Sequence, residues 1–158
     1  MNKLIAFGMA ALVWIVSGVT VASAAYSNAS IAGTWVCVGA GSTQVKDAKG
    51  ATSWAPTSLS GIYTLDAKGK FTAVKETDNT GGTACNYTLG EGSTYSIDAD
   101  GSSTNTINAK AAGTNPPQCP ATVTGHTSLF FQSTTSVYGI STDPNSSTWF
   151  ICTKRSGK

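Results

Sequence analysis

The chain has 158 residues and a formal net charge of +2, and charged residues make up only 11 % of it, against a usual share of about 25 % in globular domains. No run of like charge is longer than the pair Lys154-Arg155, so the electrostatic pattern of proteins that bind nucleic acid or anionic membranes is missing. We therefore expect neither kind of partner.

Residues 1–24, MNKLIAFGMAALVWIVSGVTVASA, predict a secretory signal peptide. A lysine precedes an apolar run, and small residues, Ala22 and Ala24, occupy the positions that signal peptidase inspects. A membrane anchor is the alternative, but small polar residues interrupt the run and no basic flank follows it. We expect an exported protein, secreted or periplasmic, that is not inserted in a membrane after cleavage and whose residues 25–158 form a single domain.

The chain has four cysteines, all downstream of the leader: Cys37, Cys85, Cys119 and Cys152. Export takes them into a compartment where disulfides persist, so two disulfide bonds are expected. No pair has C-x-x-C spacing and the only histidine is His126, which argues against a zinc site or a thioredoxin-like redox motif. We expect no metal and no cofactor.

Downstream of the leader the sequence lacks long helical periodicity and instead contains short runs rich in Thr, Val, Ile and aromatic residues, separated by turn residues every eight to twelve positions. This is the pattern of an all-β protein. The predicted strands are residues 33–39, 59–66, 70–77, 83–89, 93–98, 103–110, 121–132, 135–142 and 147–154.

Turn motifs separate several of these runs: DAKGA at 47–51, DAKGK at 66–70 and DADGS at 98–102. The first aspartate of such a motif can accept hydrogen bonds from the turn backbone, and the glycine three residues later can adopt positive φ. Each motif therefore predicts a tight reversal between antiparallel strands.

The end strands of such a meander are best hidden by pairing the first with the last. We therefore expect an up-and-down antiparallel β-barrel of about eight strands, with a two-sheet β-sandwich as the alternative. Three longer connections interrupt the hairpins: residues 40–58, which include Trp54, the polar bend at 79–82, and the proline-rich residues 111–120.

The tripeptide GTW, residues 33–35, resembles the Gly-x-Trp opening of lipocalins, and the avidins of the wider calycin group open on a similar Gly-Thr-Trp. The resemblance implies a barrel whose floor is closed by Gly33 and Trp35, with Arg155 packed across the tryptophan as the basic residue after the last strand. It also implies that the connection carrying Trp54 acts as a lid. The Thr-Asp-Tyr signature and the helix after the last strand are missing.

Neighbouring first and last strands would place Cys37 close to Cys152, and Cys85 would then bind Cys119 and hold the proline-rich connection. Four cysteines allow three pairings. In lipocalins a disulfide bond links the end of the chain to a middle strand, and the resemblance would instead favour Cys85 with Cys152.

Alternation along the strands predicts inward faces that are aromatic but interspersed with Gly and Thr: Gly61, Tyr63 and Leu65; Cys85, Tyr87 and Leu89; Tyr95 and Ile97; and Val123, Gly125, Thr127, Leu129 and Phe131. Such an interior can hold a small hydrophobic ligand. The alternative is that the same rings fill the core. Candidate ligand-binding residues are Trp54, Tyr63, Tyr87, Tyr95 and Phe131.

The sequence offers few candidate catalytic residues. There is no G-x-S-x-G motif, His126 is expected to face outward, and most acidic residues lie in predicted turns. We expect no enzymatic activity and no catalytic residue. Two functions remain open, a binding barrel for a small apolar or aromatic molecule and a barrel with a filled core whose surface binds or inhibits another protein.

Overall fold

A computed structural model describes residues 25–156, so the predicted signal peptide lies outside the described residues. They form one short helix, α1 (Asn28–Ile31), and nine strands. The strands are β1 (Gly33–Lys46), β2 (Thr52–Leu65), β3 (Phe71–Thr80), β4 (Thr83–Leu89), β5 (Thr94–Ile97), β6 (Ser102–Ala111), β7 (Thr122–Ser133), β8 (Ser136–Ser141) and β9 (Ser146–Lys154). Within this part of the chain, no helix has the length and apolar character needed to cross a bilayer.

All nine strands belong to one antiparallel sheet that closes on itself. The order is β4-β3-β2-β1-β9-β8-β7-β6-β5, and a further pairing of β4 with β6 completes the ring. The prediction of an all-β, closed antiparallel architecture is confirmed, and so is the pairing of the first strand with the last. Closure gives each of the two end strands of the chain, β1 and β9, a partner on both sides.

β4 and β5 together occupy a single position in the ring. Both pair with β6, β4 through Tyr87–Leu89 against its second half and β5 against its first half. Thr94 of β5 also bridges to Lys70, just before β3. The residues between β4 and β5 are held against β6, where the hydroxyl of Ser93 donates to the carbonyl of Asn108 at 3.0 Å. Nine strands therefore build a ring of eight positions, close to the predicted number.

The predicted tight turns are present. Asp47 Oδ1 accepts hydrogen bonds from the backbone N–H groups of Lys49 and Ala51 at 2.8 and 2.9 Å. Asp66 repeats this geometry in the next hairpin. Gly50 and its counterpart Gly69 have φ of +82° and +87°, a conformation that a side chain would strain.

The prediction of a long loop over residues 40–58 is wrong. β1 continues to Lys46 and β2 begins at Thr52, and the DAKGA turn joins them as the tip of one long hairpin. The segment is rich in Gly, Ser and Thr, and its inward side lines the open end of the cavity away from the apolar core. The hydrophobic alternation that predicts strands is therefore missing from a genuine strand.

One end of the ring, which we call the closed end, is covered by residues 26–32. Ser27 caps α1 in a reciprocal pair of hydrogen bonds with Ser30, and Ile31 is fully buried. The indole Nε1 of Trp35 donates to the carbonyl of Ile31 at 2.9 Å. The N-terminal segment and the tryptophan thus hold each other over the core, in agreement with the placement of Gly33 and Trp35 at a floor.

The basic residue that contacts Trp35 is Lys154, and the prediction of Arg155 is wrong. The Nζ atom of Lys154 lies 5.9 Å from the indole centroid and donates to the carbonyl of Ser30 at 3.3 Å. Arg155 is exposed, and its backbone N–H donates to the carbonyl of Thr34 in β1. The inward positions of β9 are Thr148, Phe150, Cys152 and Lys154, so the inward position at the end of the strand falls on the lysine, and Arg155 follows the strand.

Two disulfide bonds are present, Cys37–Cys152 and Cys85–Cys119, which confirms the pairing argued from strand closure. The first joins directly opposed residues of β1 and β9 with Cα atoms 4.0 Å apart. The second ties the proline-rich connection to β4. Of the three possible pairings, the one favoured by the resemblance to lipocalins is not formed.

Candidate ligand-binding site

The interior of the ring contains a cavity of about 780 Å³. Cavities of about 300–1,000 Å³ are typical of small-molecule sites. The cavity runs from the closed end to the opposite, open end, where the tips of the hairpins surround it. Because small residues alternate with aromatic ones on the inside of the closed sheet, the inward side chains do not fill the enclosed volume.

The side chains change from apolar to polar along the cavity. Toward the closed end its lining is aromatic and aliphatic: Trp35, Leu65, Phe71, Leu129, Phe131 and Val137. Edge-to-face contacts fix these rings, with the centroids of Trp35 and Phe131 5.5 Å apart. Nearer the open end, Thr57, Thr80 and Thr148 present hydroxyl groups. The cavity thus suits an elongated ligand with one apolar end.

A carboxylate lies between these regions. Glu76 of β3 pairs with Gly61 of β2 on one side and with Tyr87 of β4 on the other, and all three positions face inward. The Tyr63 hydroxyl donates to Glu76 Oε2 at 2.6 Å. Since Gly61 has no side chain, the Tyr63 ring folds over it; a Cβ atom on Gly61 would lie 2.8 Å from the Tyr63 hydroxyl oxygen.

Replacing Gly61 with alanine is therefore expected to displace the Tyr63 ring and to lower the free energy of unfolding by about 1–3 kcal/mol. Chemical denaturation measures the change. The matched control is Gly125→Ala, also at a cavity-lining strand position, where the nearest atom to a Cβ is a carboxylate oxygen 4.0 Å away. Equal stability of the two variants would contradict the packing of Tyr63 over Gly61.

Asp78 stands two residues along β3 from Glu76, on the same inward face. Its Oδ1 accepts hydrogen bonds from the hydroxyls of Thr57 at 2.9 Å and Thr80 at 3.2 Å. These hydroxyls also lie 2.8 Å from one another. A connected polar group thus spans β2 and β3 above Glu76.

Burial changes the acid–base properties of this region. Burial raises the pKa of Glu76, and the negative charge of Asp78 raises it further, against the hydrogen bond from Tyr63, which lowers it. Burial is also the main cause that holds the pKa of Tyr63 well above its usual value. The pKa of Tyr87 is raised in the same way. Desolvation thus disfavours negative charge on each of these groups.

Glu76→Gln is expected to raise the Tm at neutral pH and to leave it almost unchanged at pH 4. Because the folded-state pKa of Glu76 is above its usual value of 4.5, the folded protein binds this proton more tightly than the unfolded chain does. The stability that this proton provides is present below pH 4.5 and is lost as the pH rises through the folded-state pKa. Glutamine retains the oxygen that accepts from Tyr63 and carries no charge.

Thermal unfolding between pH 4 and 8 measures this effect as the difference in Tm between variant and native protein. Glu91→Gln, at an exposed position between β4 and β5, serves as the control and should show a constant difference. A constant difference for Glu76→Gln as well would contradict the raised pKa.

Of the predicted ligand-binding residues, Tyr63, Tyr87 and Phe131 line the cavity, and Trp54 and Tyr95 do not. Trp54 lies on the outer side of the β1–β2 hairpin with 52 % of its surface exposed. Tyr95 is buried under the closed end, where its hydroxyl donates to the carbonyls of Asn28 and Asp66. Burial and the charge of Asp66 raise the pKa of Tyr95 to about 12.

The sequence reasoning missed Glu76 and Asp78 as cavity residues. Their alternation with Val74 was the available signal, because residues at i, i+2 and i+4 of a strand share a face. A third strand that ends at residue 77, as predicted, leaves Glu76 and Asp78 at the strand end, whereas β3 continues to Thr80 and keeps both acids within the strand.

His126 lies on the outer face of β7, as predicted, with 52 % of its side chain exposed. Its Nδ1 is 2.7 Å from Asp143 Oδ1, and its backbone N–H donates to the other carboxylate oxygen. Within residues 25–156, no group of three or more His, Cys, Asp or Glu side chains could hold a metal ion.

The resemblance to lipocalins and other calycins stays a prediction that depends on the residues around Trp35 and on the closed sheet. Comparisons of the chain with protein-family models, with curated proteins and with solved structures found no match.

Proposed function

We propose that this protein is a non-catalytic, lipocalin-like binding protein that holds a small apolar or aromatic molecule inside its closed sheet. The observation that carries the proposal is the cavity of about 780 Å³ with an aromatic closed end and a hydroxyl-lined opening. Burying an apolar ligand against these rings is favourable by about 25 cal/mol per Å² of apolar surface.

An exported location, secreted or periplasmic, supports the same proposal. Both disulfide bonds fit an oxidising compartment, and residues 1–24 have the composition of a signal peptide. A carrier of apolar molecules is useful where these molecules must cross an aqueous space.

Absence of catalysis is supported by where the reactive groups lie. All four cysteines are in disulfides, and the only histidine of the chain is on the outer surface. The cavity of the described chain thus has no histidine to activate a serine or a thiol.

Titration with the neutral fluorescent probe N-phenyl-1-naphthylamine tests the binding function. We expect saturable binding of one probe per chain with a blue-shifted emission. Thr127→Trp, which fills part of the cavity, should weaken binding, whereas Phe130→Ser, on the outside, should not. No binding by the folded, oxidised protein would overturn the proposal.

A second candidate function, binding of another protein, is favoured by the outer surface. Seven exposed side chains form an outer apolar patch: Val36, Val38, Ile62, Phe130, Tyr138, Ile140 and Trp149. Val38, Ile151, Tyr138 and Phe130 lie in one cross-strand row of β1, β9, β8 and β7. The outward positions of β8 and β9 carry no charge, and extended uncharged patches often mark interfaces.

For this second candidate we propose a second copy of the chain as the partner, because the small net charge of +2 gives little repulsion between copies. Sedimentation velocity at increasing concentration should then detect a dimer. Replacing Tyr138 and Ile140 with serine should return it to a monomer. A native protein that stays monomeric over the whole range would rule this candidate out.

A further inference from the structure

The charged groups of the cavity are unbalanced. Its lining contains three acidic residues, Glu76, Asp78 and Asp143, and one basic residue, Lys46. Lys46 is at the end of β1, nine residues beyond Cys37, which lies in the same cross-strand row as Glu76. At a rise of about 3.3 Å per residue this is a distance of roughly 30 Å. Lys46 therefore does not neutralise Glu76.

Asp143 contacts His126, and this is the only contact within 4.0 Å between a carboxylate and a Lys, Arg or His side chain among residues 25–156. Within the same residues, Glu76 and Asp78 have no basic partner. Tyr63 donates only to Oε2 of Glu76, and the hydroxyls of Thr57 and Thr80 donate only to Oδ1 of Asp78. The other oxygen of each carboxylate therefore accepts no hydrogen bond from residues 25–156.

The two carboxylates are suitably spaced for one cationic group. Side chains two residues apart on a strand are about 6–7 Å apart on the same face, so an ammonium ion between them can donate to both. Tyr63 and Tyr87 border Glu76 on the adjacent strands, and aromatic faces attract cations. Strands β2 and β4, packed on either side of β3, contribute no other ionisable side chain to the cavity lining except these tyrosines.

A partly buried carboxylate without a counter-ion is costly to keep charged, and burial raises the pKa of Glu76 accordingly. A ligand that brings its own positive charge removes this cost through charge-assisted hydrogen bonds. An anionic ligand would add to it. The cavity therefore discriminates among apolar molecules by charge.

We infer that the molecule held in the cavity is a cationic amphiphile, an amine whose ammonium group binds between Glu76 and Asp78 while its apolar or aromatic part contacts the rings at the closed end. This inference rests on the proposed binding function and adds the chemical class of the ligand.

Displacement of bound N-phenyl-1-naphthylamine at pH 7.5 by three matched compounds tests the inference: 4-phenylbutylamine, 4-phenyl-1-butanol and 4-phenylbutyrate. They share one apolar group and differ in charge. The amine should bind at least about tenfold more tightly than the alcohol, as expected for hydrogen bonds to a charged group. The carboxylate should bind most weakly.

Variants assign the preference to the two acids. The double variant Glu76→Gln/Asp78→Asn should bind amine and alcohol equally, and saturable binding of the neutral probe reports that its cavity is intact. Glu91→Gln, an exposed acid outside the cavity lining, should retain the full preference for the amine.

The outcomes separate the two proposals. Binding of the neutral probe with no preference for the amine, or with a preference for the carboxylate, would overturn the cationic ligand and leave the binding function in place. A preference for the amine that survives in the double variant would overturn the assigned residues. Failure of the neutral probe and of all three compounds to bind would overturn both.

Discussion

Replacing both Cys37 and Cys152 with alanine is expected to lower the free energy of unfolding by about 5 kcal/mol. The bond closes a loop with a sequence separation of 115 residues, and the entropy that a cross-link removes from the unfolded chain grows with loop length. A loss of this size is a large share of the total stability of a small domain, about 5–15 kcal/mol. Urea denaturation of the oxidised proteins measures it.

The second disulfide is the matched control. Cys85–Cys119 has a sequence separation of 34, so removing it should cost about 4 kcal/mol by the same relation. It also lies away from the junction of β1 and β9. We therefore expect the Cys37/Cys152 variant to be the less stable of the two by about 1 kcal/mol, and the reverse order would show that loop length does not decide stability here.

Trp35→Ala is expected to lower the free energy of unfolding by about 3–5 kcal/mol. The indole is 2 % exposed, contacts the ring of Phe131 edge to face, and donates to the carbonyl of Ile31. Its removal leaves an empty volume, deprives the N-terminal segment of a hydrogen bond and takes away the ring under Lys154. We expect residues 26–32 to detach from the closed end first.

Trp54→Ala supplies the control, because this tryptophan has 52 % of its surface exposed on the outer side of a hairpin. Its replacement should change stability by no more than about 0.5 kcal/mol. Hydrogen exchange of the Trp35→Ala protein should further show faster exchange at Ala32, whose N–H donates to Asn28. Similar losses for both tryptophans would contradict the role of Trp35 at the closed end.

Local patterns predicted much of this molecule correctly. The turn motifs around Asp47 and Asp66 were identified because Asp and Gly have specific backbone roles, and these roles depend on a few neighbouring residues. The inward faces of β4 and β7 were identified because side chains alternate along any strand. Closure of the sheet followed from the need to give both end strands a partner, and with it the pairing of Cys37 with Cys152.

The sequence by itself thus determined the strand content, the hairpins and the closed antiparallel arrangement, since each follows from local geometry or from a general rule about edges. Only the tertiary structure decided that β1 continues to Lys46 and that β2 begins at Thr52. It also decided that Lys154 rather than Arg155 lies on Trp35, and that Glu76 faces a cavity. These features depend on the register of distant strands and on whether the inward side chains of all the strands fill the volume that the sheet encloses. A shift of one residue along a strand exchanges inward for outward, and a cavity is the difference between two large volumes, so neither can be obtained from one strand at a time.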